Sequence, residues 1–194
     1  MRPSNGVHCG DLNRDRRLGD VWEANFCGLL PDGCSFVRHQ KDRSAGAVFG
    51  VVDPGGVIRW SPSPDVTVWW GGNGITSHHE CKHKNATANG FFGLEEYRVN
   101  SLREFMQRVG QEVQYTIHDH DCSGGPNGSE NDIKHWVTLS LEALCRDVHE
   151  RRRSPTYRNG RRVMEMTYYW HRSCFNTLED EFDNLLYFAR RDQQ

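Results

Sequence analysis

The sequence predicts a mixed α/β fold in which a central β-sheet is flanked by helices. Three observations carry that expectation. Apolar residues recur at helical spacing near both ends of the chain, and β-prone runs separated by a Gly-rich turn fill residues 57–82. Over 101–117 a helix, a glycine stop and an alternating strand follow one another, an order that implies a crossover onto a parallel neighbour. At 194 residues the chain suffices for one domain with a full core and is short for two, so 1–194 is read as a single domain.

The first helix is expected from about Arg16 to Leu30, where Leu18, Val21, Trp22, Phe26, Leu29 and Leu30 form one apolar stripe. Pro31 disfavours helical geometry before it and Gly33 suits the following turn. Glu23 lies beside the stripe. Cys34 to Val37 reads as a short strand. Residues 41–56 read as loop, rich in Gly, Asp and Ser apart from Ala47-Val48-Phe49 and Val51-Val52. Strands follow at Val57–Trp60 and Val66–Trp70. Gly71-Gly72-Asn73-Gly74 then turns the chain into a return strand from Ile75 to Lys82.

A second helix is predicted to start at Ser101, because Ser101-Leu102-Arg103-Glu104 has capping-box spacing. Leu102, Phe105, Met106 and Val109 form its buried face and Gly110 ends it. Val113, Tyr115 and Ile117 alternate in the next strand. Cys122 to Asn131 is a Gly-rich loop. Ile133, Trp136, Val137, Leu141, Leu144 and Val148 mark a third helix, and Arg146 to Arg162 is a basic segment. Val163 to Trp170 reads as a late strand. Thr177 caps a final helix carrying Leu178, Phe182, Leu185 and Leu186.

A formal net charge of −2 excludes a chain coated in positive charge, so a nucleic-acid partner would show only as a local basic patch. The seven cysteines are odd in number and lack a C-x-x-C pair, which points to a reducing compartment rather than a disulfide framework. Met1 to Asp15 carries no apolar core of a secretory signal, and no apolar run approaches the ~18 residues that cross a bilayer. A cytoplasmic protein with no membrane partner is expected.

The chemistry-bearing residues sit on the hairpin. Asp65 opens one strand and Glu80 lies near the end of its partner, so pairing across the turn brings the two carboxylates together. Glu80 and Lys82 are two apart on a strand and point to the same face. Two carboxylates are natural ligands for Mg²⁺, with Mn²⁺ able to substitute. A lysine beside such an ion can orient an attacking water or stabilise negative charge in the transition state.

Pro64-Asp65 followed by Glu80-Cys81-Lys82 resembles the signature of the PD-(D/E)XK nuclease superfamily. That resemblance covers about residues 16–120. It implies a restriction-endonuclease-like core in which Asp65, Glu80 and Lys82 are catalytic and Asp65, Glu80 and the Cys81 carbonyl are metal ligands. Glu23 matches the further glutamate that the family often takes from an N-terminal helix, where it would hold a second ion or tune the first. The implied function is Mg²⁺-dependent hydrolysis of double-stranded DNA by a restriction-type homodimer. Alternatives are a junction-resolving or repair nuclease, or a non-catalytic or zinc-containing nucleic-acid-binding protein. Residues 121–194 would then serve DNA recognition or dimerisation.

Outside that signature, each feature has a functional and a plain reading. Asp53 competes with Asp65 but reads as a turn residue. His78, His79 and His83 crowd the hairpin end, where structural or exposed roles compete with phosphate contact; His83 and Lys84 are the DNA-contact candidates. His118 and His120 share one face of a strand end and are expected to line it near substrate. With Cys81, His83, His78 or Cys122 they form the alternative zinc set. Arg151, Arg152, Arg153, Arg158 and Arg161 are candidate phosphate contacts with Tyr157 available to stack, against the plain reading of a solvated helix end and loop. Trp170 is read as core before groove reader.

Overall fold

The computed structural model describes residues 12–39, 41–42, 46–52, 55–71, 74–120, 131–158 and 161–191. Asp53, the turn residues Gly72 and Asn73, and Cys122 with its Gly-rich loop lie outside the described residues.

The chain forms a mixed α/β fold with a central mixed sheet flanked by helices. Helix α1 (Leu12–Cys27) is followed by β1 (Cys34–Arg38), then by the short β2 (Lys41–Asp42), β3 (Gly46–Val52) and β4 (Ile58–Pro62). The predicted hairpin is β5 (Val66–Trp70) and β6 (Ile75–Lys84). After β7 (Phe91–Glu95) and α2 (Glu96–Val109), β8 (Val113–Asp119) lies parallel to β6, as the helix–glycine–strand order implied. Next come β9 (Trp136–Ser140), α3 (Leu141–Arg146), β10 (Glu150–Arg158), β11 (Arg161–His171), β12 (Asn176–Thr177) and α4 (Leu178–Arg191). The central sheet runs β1-β5-β6-β8-β9-β12, and β10-β11-β7 and β2-β3-β4 form two smaller sheets.

Strand alternation divides the core in two. Val66, Val68, Trp70 and Cys81 pack with Trp22 and Phe26 of α1 and with Leu178 and Phe182 of α4. Val113, Tyr115 and Ile117 pack on the opposite face with Leu102 and Phe105 of α2, Leu141 and Leu144 of α3, and Trp170. Trp170 is fully buried and donates to the Leu144 carbonyl at 2.6 Å, so it is core. Gly93 is required by close approach, since a Cβ there would meet Tyr169 Cε1 at 2.8 Å. Gly110 ends α2 at φ +72°, a conformation that favours glycine.

Four local expectations are corrected. Residues 46–52 form β3 rather than loop; Val48, Phe49, Val51 and Val52 are β-prone and pair with β4, and only Gly50 interrupts them. Helix α2 begins at Glu96, not Ser101, and the Ser101 hydroxyl donates back to the Tyr97 carbonyl at 2.9 Å instead of capping. The predicted third helix splits into a 3₁₀ turn (Ile133–His135), strand β9 and α3. Its apolar spacing fits both periods, and pairing with β8 decides for the strand. The basic segment is likewise not a helix end and loop, because β10 pairs along its length with β11.

Candidate active site

The site sits where β5 and β6 begin to part. Val66 pairs with His79, so the next position outward sets Asp65 opposite Glu80. The His39 amide donates to the Asp65 carbonyl at 2.9 Å and the Cys81 amide to Asp65 Oδ2 at 3.0 Å, which fixes both backbone and carboxylate. Glu80 and Lys82 share a face of β6. Lys82 Nζ lies 2.5 Å from Glu80 Oε1, 3.1 Å from Asp65 Oδ2 and 3.2 Å from the Cys81 carbonyl oxygen. Asp65 and Glu80 are 3 % and 0 % exposed, whereas the Lys82 side chain keeps 30 % exposure, so water reaches the cluster from the lysine side.

Sequence reasoning missed Arg98. Nε and Nη2 of this buried arginine on α2 grip Glu80 Oε1 and Oε2 at 2.9 and 2.5 Å, and Nη2 also donates to the Ser63 carbonyl at 2.8 Å. A fork of this kind is the strong form of a carboxylate contact. Burial works against the Glu80 charge, but Arg98 and then Lys82 outweigh it and take its pKa down to about 2. Burial likewise opposes the Lys82 ammonium, and Asp65 and Glu80 hold it well above its usual range. The signal that could have found Arg98 is spacing: with α2 starting at Glu96, Arg98 falls on the same buried stripe as Leu102 and Phe105.

Glu23 is buried on α1, on the other side of β6, and pairs with Arg38 at 3.4 Å. The Cys81 thiol is raised well above its usual range by burial and then by the charges of Asp65 and Glu23. Glu95, at the start of α2, is a further carboxylate that feels this charge set. Burial raises its pKa, but Lys84, its own backbone amide and Lys82 bring it below the ordinary value.

His78 and His79 take the structural role of the plain reading, whereas His118 departs from expectation. His78 hydrogen-bonds Thr67 and Gln111 at 2.8 and 2.6 Å, and His79 bonds Ser77 and Thr116 at 2.8 and 2.9 Å, so both tie strands together. His118 does not line an open strand end: it is 0 % exposed and stacks on Trp22 at 4.1 Å. His83 stacks on the same indole, and its Nδ1 lies 3.0 Å from His118 Nδ1. Burial, then His118 and His120, lower the His83 pKa to about 4, so the ring offers no charge to a phosphate at neutral pH. Among the described residues no group of three or more His, Cys, Asp and Glu side chains is arranged to hold a metal ion. The donor set around Lys82 is instead two carboxylates and one main-chain carbonyl. All are hard oxygens, a type that suits Mg²⁺ or Mn²⁺ rather than zinc.

Arg151, Arg152 and Arg153 stand exposed on β10, well removed in sequence from the hairpin. Arg151 pairs with Glu96 at 2.5 Å, and Arg152 lies over the Tyr169 ring at 4.5 Å. Arg158 and Arg161 end β10 and begin β11; their side chains, and that of Tyr157, lie outside the described ones. Among the described residues no helix is long and apolar enough to cross a membrane.

No family model and no curated protein matches the chain. Among solved structures it is similar to the Holliday junction resolvase Hjc of Archaeoglobus fulgidus, an archaeal hyperthermophile. The identity is 13 % and the TM-score 0.42, over 87 % of this chain and 96 % of that one.

Proposed function

We propose that this chain is a metal-dependent nuclease hydrolysing phosphodiester bonds in DNA, with Asp65, Glu80 and Lys82 at its centre. One observation carries the reading: a single ammonium, Lys82 Nζ, gathers oxygens of Asp65, Glu80 and Cys81 at 3.1, 2.5 and 3.2 Å. Oxygens that converge on one cation in this way are the ligands a hard divalent ion takes. Asp65, Glu80 and the Cys81 carbonyl would hold Mg²⁺ or Mn²⁺. Such an ion supplies Lewis-acid charge to the scissile phosphate and eases ionisation of the attacking water. Lys82, at the solvent side, would orient that water and meet negative charge as it builds on phosphorus. Glu23, buried on α1, would tune the ion or hold a second.

Lys84 follows Lys82 on the same face of β6 and would extend positive charge along the DNA backbone. The exposed arginines of β10 would add phosphate contacts. The described cysteines Cys27, Cys34, Cys81, Cys145 and Cys174 are free, which supports a cytoplasmic setting. The restriction-type homodimer rests on the sequence resemblance alone. Because a junction-resolving nuclease is an alternative within the same resemblance, a four-way junction belongs beside linear duplex in the test.

That test incubates the purified chain with labelled four-way junction and linear duplex, with Mg²⁺, with Mn²⁺ and with EDTA. The reading expects cleavage that needs the metal and disappears in Asp65→Asn. Intact DNA under every metal condition would overturn it, and cutting confined to branch points would select the resolvase form.

A further inference from the structure

The two acidic groups of the site are balanced by two basic ones of unequal mobility. Lys82 is 30 % exposed on a flexible stem, whereas Arg98 is 6 % exposed and hydrogen-bonded through Nε and Nη2. Lys82 Nζ occupies the point where the Asp65, Glu80 and Cys81 oxygens converge, so a divalent ion bound by those oxygens would have to displace it. Lys82 is the group able to leave. Arg98 meanwhile joins the two acidic arms, gripping both Glu80 oxygens and the Ser63 carbonyl two residues before Asp65.

We infer that Arg98 is the positioning residue of this site: its fork holds Glu80 and the Ser63-Pro64-Asp65 segment in register while a divalent ion takes the place of the Lys82 ammonium. The inference rests on the metal-dependent reading above. It gives Arg98 an effect opposite in sign to its charge. Removing a cation beside a metal site should by Coulomb's law tighten divalent binding. Removing a group that holds a ligand's orientation should weaken it, by roughly 10- to 100-fold for residues that support ligands.

Mn²⁺ titration of the full chain without DNA, read by calorimetry or by the electron-spin signal of free Mn²⁺, separates these effects. Lys82→Met should bind Mn²⁺ several-fold more tightly than wild type. Arg98→Met, with an unchanged circular dichroism spectrum, should bind it about tenfold more weakly. Arg98→Lys keeps the charge without the fork and should also weaken binding, which provides the reading if Arg98→Met does not fold. Wild-type binding that Arg98→Met tightens, or that Arg98→Lys leaves unchanged, would overturn the positioning role and leave the nuclease reading standing. A wild-type chain that takes up no Mn²⁺ would overturn both.

Discussion

Trp22 lies flat against His83, with ring centroids 4.2 Å apart and planes 7° from parallel. The same indole stacks on His118 at 4.1 Å and meets Trp136 edge-on at 6.2 Å. One side chain of α1 thereby clasps β6, β8 and β9, and the next residue along the helix is Glu23. Aromatic packing thus seats on the sheet the turn of α1 that carries the buried Glu23.

Trp22→Ala should therefore destabilise the fold by about 3–5 kcal/mol, the range for emptying a large aromatic site. Urea unfolding measures it. A loss under about 1 kcal/mol would mean that α1 is held by other contacts and that the clasp is incidental.

Acid should destabilise this protein well above the range in which carboxylates titrate. Burial and then His78 lower the His79 pKa from 6.5 to about 3, and His83 falls to about 4. Unfolded imidazoles take up protons near 6.5 while the folded ones stay neutral. Stability is thus full above about pH 6.5 and declines as pH falls toward 4, by up to about 1.4 kcal/mol per pH unit for buried His79. Glu80, held at about 2, adds its own loss below its unfolded value of 4.5. Urea midpoints between pH 7.5 and 5 test the sign; a flat or rising profile toward acid contradicts it.

The β10 arginines should act on DNA through phosphate charge and not through bases. Arg153→Ala is expected to weaken binding to all sequences alike and to reduce the slope of log affinity against log salt by about 1. Fluorescence anisotropy across a salt series reads this directly. An unchanged slope would remove β10 from the interface.

Much of the site was legible because it is local. Asp65, Glu80 and Lys82 lie on one hairpin, whose alternation and turn fix which side chains share a face. The parallel crossover to β8 could be read from a helix that stops at Gly110 and leads into an alternating strand. Arg98 was hidden by an error of five residues. A capping-box pattern at Ser101 set the helix start too late, so the arginine fell outside the helix and its place among Val99, Leu102 and Phe105 was invisible. The strand β9 was obscured for a different reason, since Trp136, Val137 and Leu141 satisfy helical spacing and only the neighbouring β8 settles the choice. The pairing of Trp22 with His83 and His118 depends on long-range packing that no local pattern encodes.

The account stands or falls on Lys82 serving chemistry rather than structure. Single-turnover cleavage of labelled DNA by Lys82→Ala, with DNA binding measured on the same samples, tests this most directly. The account predicts a folded variant that binds DNA as wild type does and cleaves at least about 100-fold more slowly. Cleavage at the wild-type rate would contradict it.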